Sequence, residues 1–212
     1  MMLTQTPVMA PVEHHLRGRG DSARGLALAV GSAAISFSLV YLLSDIIEVA
    51  QGGFSTVRLA LTYAAEAAIP FFVLGLYAVQ RPSIGRIGLV GALAYAYSYV
   101  FFTSTVVYAL VAGTPNYRAL STIFGAWMVI HGLVMVVGGL MFGFAVARAG
   151  LLPQWTGWCL MLGVVLVAAA SGLPSIARTV AEALPVAAFV GMGFALLPRR
   201  RQTPFVAGRA PR

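Results

Sequence analysis

Long apolar runs, broken by short polar stretches rich in Gly and Pro, organise this chain. They fall at about 26–50, 57–80, 87–112, 119–147, 155–172 and 177–197. Crossing a hydrocarbon core of about 30 Å takes roughly 20 helical residues at about 1.5 Å each, so each run reads as a membrane helix. The breaks are Gln51-Gly52-Gly53, Arg81-Pro82, Gly113-Thr114-Pro115-Asn116, Gly150 to Pro153, and Gly172-Leu173-Pro174. The pattern predicts an all-α integral membrane bundle of six transmembrane helices over residues 25–198. A disordered tail over 1–24 precedes it and a basic tail over 199–212 follows. The fifth run is the shortest, with a re-entrant segment as the alternative, and Pro174 and Pro185 each mark either a boundary or a kink. Arg17, Arg19 and Arg24 followed by an apolar run imitate a signal peptide, but Leu26 to Ala50 is too long for one and reads as an uncleaved first helix. The Arg-Gly-Asp triplet at Arg19 to Asp21 is too short to carry meaning in such a tail.

Composition supports the membrane assignment. Apolar residues make up 59% and charged residues 9% of the 212, with a mean hydropathy of +0.87. Soluble domains carry roughly 25% charged residues, so a water-exposed surface cannot be assembled here. The net charge of +8 comes entirely from Arg. Those residues lie scattered between apolar blocks, as topology signals do, and not in the stripe or patch that nucleic acid would need. Six crossings put Arg17, Arg19, Arg24, Arg81, Arg86, Arg148, Arg199, Arg200, Arg201, Arg209 and Arg212 on one side and Arg58, Arg118 and Arg178 on the other. The positive-inside rule then places both termini in the cytoplasm of an inner (cytoplasmic) cell membrane. Trp155 and Trp158 fit an interfacial belt. Arg199, Arg200 and Arg201 are placed to hold anionic headgroups, at about 1 kcal/mol each. Gly139-x-x-x-Gly143, supported by Gly85, Gly88 and Gly91, offers a close-packing surface for a helix of the bundle, a second copy or a partner helix. Cys159, alone in an apolar run, reads as a small core residue.

Charge inside a membrane helix costs at least about 2.5 kcal/mol, so the six acids direct the search for chemistry. Glu13 and Asp21 belong to the tail. Asp45 and Glu48 share one face near the end of the first helix, within reach of the loop and of Arg58. Glu66 lies deeper, roughly 12 Å along the second helix from Arg58. Tyr63 lies one turn outward of it, and Pro70 frees a backbone carbonyl beside it. Glu182 reads as a local partner of Arg178, four residues earlier. His131 falls near the midplane of the fourth run, with Trp127 one turn before it and Met128 and Met135 around it. A lone membrane His is an interhelical hydrogen bonder or a proton carrier. The third run is rich in hydroxyls at Tyr95, Ser98, Tyr99, Thr103, Ser104, Thr105 and Tyr108. These serve either as interhelical glue or, with Glu66 and His131, as a polar and aromatic cavity opening outward.

The motifs of phosphate loops, serine hydrolases, zinc proteases and covalent haem attachment are missing. One His among scattered acids makes no metal signature, and no cofactor is called for. Through Leu43-Ser44-Asp45-Ile46-Ile47-Glu48 and Leu151-Leu152-Pro153-Gln154-Trp155-Thr156-Gly157-Trp158, the chain resembles the short multi-pass bacterial membrane proteins of unknown function. That resemblance implies a class and no activity. Three functions fit the residues. The preferred one is a non-enzymatic carrier or accessory subunit, whose outward-facing site of Glu66, His131, Asp45, Glu48, Tyr63, Trp127, Tyr95 and Tyr99 binds a proton, a cation or an amphiphile. The second is a membrane enzyme that starts cyclisation or isomerisation of a lipid or isoprenoid by protonation, with Glu66, Asp45 or His131 catalytic. The third is a structural subunit whose acids are all paired.

Overall fold

In hydrocarbon, backbone groups must find their partners within the same segment, and this chain meets that demand with helices alone. The structure, a computed structural model, describes residues 11–197, with side chains from residue 23 onward. Among the described residues there are seven helices: α1 (Pro11–Gln51), α2 (Thr56–Val79), α3 (Gly85–Ala112), α4 (Tyr117–Phe124), α5 (Ala126–Ala149), α6 (Gln154–Ala169) and α7 (Ser175–Leu196). Five stretches are long and apolar enough to cross a membrane, namely Ala23–Gln51 within α1 together with α2, α3, α5 and α7. α6 is apolar but has only 16 residues.

Two expectations need correction. The expected irregular tail gives way to helix at Pro11, and α1 runs unbroken from there to Gln51. Proline suits a first helical turn, where its missing N–H would have no partner anyway. The expected fourth span, 119–147, is two helices. Asn116 caps α4 by accepting from the Ala119 N–H at 3.0 Å. Gly125 then turns the chain with φ +50, ψ −123, a backbone open to glycine but strained for other residues. α4 packs Leu120 and Phe124 onto Leu59, Val106 and Ala109, capping the ends of α2 and α3. Pro174 stands at the α7 N-terminus, whereas Pro185 lies inside α7. Residues 1–10 and 198–212, including Arg199, Arg200 and Arg201, lie outside the described residues.

The six longer helices form a closed ring in the order α1, α2, α3, α5, α6, α7, each packing on its neighbours and α7 returning to α1. Small residues set the spacing, because helices in lipid associate by close backbone approach. A Cβ at Gly193 of α7 would lie 2.6 Å from the Gly31 carbonyl oxygen of α1. One at Gly138 of α5 would lie 2.6 Å from the Tyr95 nitrogen of α3. One at Gly143 would lie 2.7 Å from the Gly157 carbonyl oxygen of α6. The Gly139-x-x-x-Gly143 surface is therefore occupied by α3 and α6 of the same chain. α6 runs antiparallel along α7, with Trp155 against Gly191 near one end and Gly163 against Pro185 midway.

The two ends of the ring differ. Around the α2–α3 turn, Phe72, Leu76, Phe142, Val146, Leu160 and Met192 fill the interior completely. At the opposite end, where α1 stops and α2 begins, the interior holds charge and space.

Candidate functional site

Four helices each send one stripe of side chains into that end, at the three- and four-residue spacing that aligns positions on a helix face. α1 contributes Ser38, Tyr41, Asp45 and Glu48, and α2 contributes Arg58, Thr62, Glu66 and Ile69. α3 adds Tyr95, Tyr99, Phe102 and Thr105, and α7 adds Arg178, Glu182, Pro185 and Phe189. Between them lies a cavity of about 470 Å³, completed by residues of α4, α5 and α6. That volume is within the range of roughly 300 to 1,000 Å³ that small-molecule sites occupy.

An ion network crosses the polar end of this cavity. Glu48 accepts from Arg58 Nη2 at 2.6 Å through Oε2 and from Arg178 Nη2 at 2.6 Å through Oε1. One carboxylate thus ties α1, α2 and α7 together. Arg58 also stands 3.6 Å from Asp45 Oδ1. Both guanidinium groups rest on aromatic faces, Arg58 over Phe54 at 4.4 Å and Arg178 over Tyr117 at 4.3 Å. Such stacking recovers part of the solvation that burial removes. Tyr117 lies outside the long apolar helices; burial pushes its phenol up, against the opposing pull of Arg178, so its ring remains a neutral π face. Ser44 and Thr62 join α1 and α2 at the same level, their hydroxyl oxygens 3.0 Å apart.

Below the network the carboxyls outnumber their partners. Asp45 of α1 and Glu182 of α7 both line the cavity, beside Glu48 and Glu66. Asp45 Oδ2 and Glu66 Oε2 are buried without a hydrogen-bond partner, as are the Nε atoms of both arginines. Four carboxyls and two guanidinium groups line the cavity, a formal excess of two negative charges. Its floor is aromatic. Tyr95 and Phe189 have ring centroids 5.9 Å apart, Phe189 packs edge-on against Phe72 at 5.2 Å, and the Tyr95 and Tyr99 hydroxyls approach to 3.5 Å.

Of the residues expected at a site, Glu66, Asp45, Glu48, Tyr95 and Tyr99 meet around this one cavity. Tyr63, Trp127 and His131 do not line it. Tyr63 and Trp127 point outward, 45% and 62% exposed. His131 is buried, but it stacks on Phe101 of α3 with centroids 3.7 Å apart, and its Nδ1–H donates to the Trp127 carbonyl oxygen at 2.9 Å. Its environment is that of a helix-packing residue. Arg178, expected to pair locally with Glu182, reaches across to Glu48 of α1 instead. Sequence reasoning also passed over Tyr41, Tyr117 and Phe189. Tyr41 had a signal, because it stands four residues before Asp45 on the face that Ser38 and Glu48 share; Phe189 had none beyond apolarity.

No protein-family model, curated protein or solved structure matches the chain. The function is therefore argued from this cavity.

Proposed function

We propose that this multi-pass membrane protein binds a cation in the cavity at the polar end of its ring, as a small carrier or an accessory subunit. The observation that carries the reading is the buried Glu66 carboxyl, with one oxygen lacking any partner, in an aromatic cavity where carboxyls outnumber guanidinium groups four to two. An ionisable side chain left without a partner at membrane depth is costly and points to a site before it points to packing. A structural subunit would instead have Glu66 bonded to its neighbours with no adjoining space.

The reading includes six crossings with both termini cytoplasmic. The pairing of α6 along α7 and the eleven-to-three division of Arg support it. With that orientation the cavity opens in the outer half of the bilayer. Asp45, Glu48, Tyr95 and Tyr99 belong to the site, whereas Tyr63, Trp127 and His131 do not.

The test is equilibrium binding of tetramethylammonium to the purified protein in nanodiscs of zwitterionic lipid. Saturable binding, weakened at least about tenfold by Glu66→Gln, supports the reading; charge–aromatic sites commonly supply that much. Equal binding by both forms, or none by either, refutes it. The aromatic floor beneath a deep carboxyl also favours a second reading, a lipid-protonating isomerase or cyclase. In that reading Glu66 delivers the proton and Tyr95, Tyr99 and Phe189 stabilise the carbocation. Mass spectra of lipid extracts from cells with and without the protein test it, and identical spectra would remove it.

A further inference from the structure

The α5–α6 seam changes character along its length. Toward the filled end the two helices touch backbone to backbone at Gly143 and Gly157. Toward the polar end α6 stops at Ala169, and the lining passes to Ser171 and Gly172. Gly132 of α5 has no atom within 4 Å of where a Cβ would stand, although it lines the cavity. Val129 and Leu133 on either side of it also line the cavity, yet they are 62% and 60% exposed. Ala168 on α6 has the same double position, lining the cavity while exposed. A residue that faces both the interior and the exterior marks an opening in the wall. Gly132, Val129, Leu133 and Ala168 are apolar or Gly, which suits contact with lipid chains, while the exposed Ser171 just past α6 also lines the cavity and marks the polar edge of the opening. The end facing water, by contrast, is crossed by the Arg58–Glu48–Arg178 network and by α4.

We infer that the ligand is a cationic amphiphile, an organic ammonium group on an apolar chain, which enters sideways from the lipid between α5 and α6. The head reaches Glu66 over the faces of Tyr95, Tyr99 and Phe189, and the chain lies in the opening beside Gly132 and Ala168. An inorganic divalent ion fits less well, because among the described residues no three His, Cys, Asp or Glu side chains converge as metal ligands do. An organic cation needs no such shell, since aromatic faces and one carboxylate hold it. This inference rests on the cation reading above and adds the class of ligand and its route.

The experiment compares dodecyltrimethylammonium with tetramethylammonium on the full chain in zwitterionic nanodiscs, by stopped-flow fluorescence and equilibrium binding. The wild type is expected to bind the long-chain ion at least about tenfold more tightly, because its chain adds apolar burial. Gly132→Trp and Ala168→Trp, which place an indole in the opening, are expected to slow its association at least about tenfold, since access then requires the wall to open. Leu162→Trp, on the exposed face of α6 away from the cavity, is expected to leave that rate unchanged. Chromatographic profile and thermal stability establish that each variant is folded. Tetramethylammonium binding as tight as that of the long-chain ion, or association unaffected by both portal variants, would overturn lateral entry while leaving the cation site intact. Failure of either ion to bind the wild type would remove the cation reading itself.

Discussion

Glu66 stands under two opposed demands. Its helix places it against Tyr99, Ile69 and the floor of the ring, away from water, while its free oxygen has no donor to answer it. Removing the charge should therefore help the fold and harm the site. Glu66→Gln is expected to keep or raise the melting temperature in nanodiscs while losing cation binding. A fall in stability together with retained binding would show the carboxyl to be structural. The charged and titratable groups sharing its cavity are Arg58 on α2, Tyr41, Asp45 and Glu48 on α1, Tyr95 and Tyr99 on α3, Tyr117 on α4, and Arg178 and Glu182 on α7. A proton and a cation compete for the same carboxyl oxygens, so binding should weaken as pH falls, and the slope should be shallower in Glu66→Gln; an identical pH profile would contradict this. His131→Phe should leave cation affinity untouched, because that ring lies against Phe101 and outside the cavity. An affinity loss measured on a folded His131→Phe protein would place His131 back in the site.

Elements were legible to different degrees, for physical reasons. Apolar length and Gly–Pro punctuation located the five long apolar stretches and the shorter α6, because lipid imposes one length and one way to satisfy a backbone. α4 was hidden, since Leu120, Ile123 and Phe124 extend the apolar pattern of α5 and only Gly125 marks the turn. The acids stood out by scarcity, and the Arg58 pairing with Asp45 and Glu48 followed from proximity across one short loop. The partners from α7 could not be read in the same way. Arg178 and Glu182 have a local pairing four residues apart, and only closure of the ring decides for α1 instead. Glu48 is the joint of that closure. Breaking a buried pair from one side leaves the other charge stranded, at a cost of about 3 to 5 kcal/mol. Glu48→Ala strands two guanidinium groups and should reduce stability by that order, measured by unfolding in mild detergent with increasing SDS. A change close to zero would show that Arg58 and Arg178 reach other partners.

At the scale of the whole molecule, a filled half and a charged half give the ring a direction. Orientation in the membrane decides which compartment the charged half meets. With Cys159→Ser as background, Asn116→Cys in the turn before α4 should react with a membrane-impermeant maleimide on intact cells. Ser83→Cys in the α2–α3 turn should react only after permeabilisation. The reverse labelling pattern would put the cavity in the inner half and the Arg count at fault. The filled half sets Phe72, Phe142, Leu160 and Met192, all buried in one core, between the cavity and the α2–α3 turn. A carrier built this way must rearrange that packing at every cycle, whereas an accessory subunit can hold its ligand without doing so.

The central claim is that the free carboxyl of Glu66 is the group that meets the cation. Infrared difference spectroscopy reads carboxyl groups directly, by comparing the protein in nanodiscs before and after tetramethylammonium is added. The account predicts a change in the carboxyl bands of the wild type that is absent from Glu66→Gln. Difference spectra with the same carboxyl bands in both proteins, or a wild type that binds the ion with no carboxyl change, would contradict it.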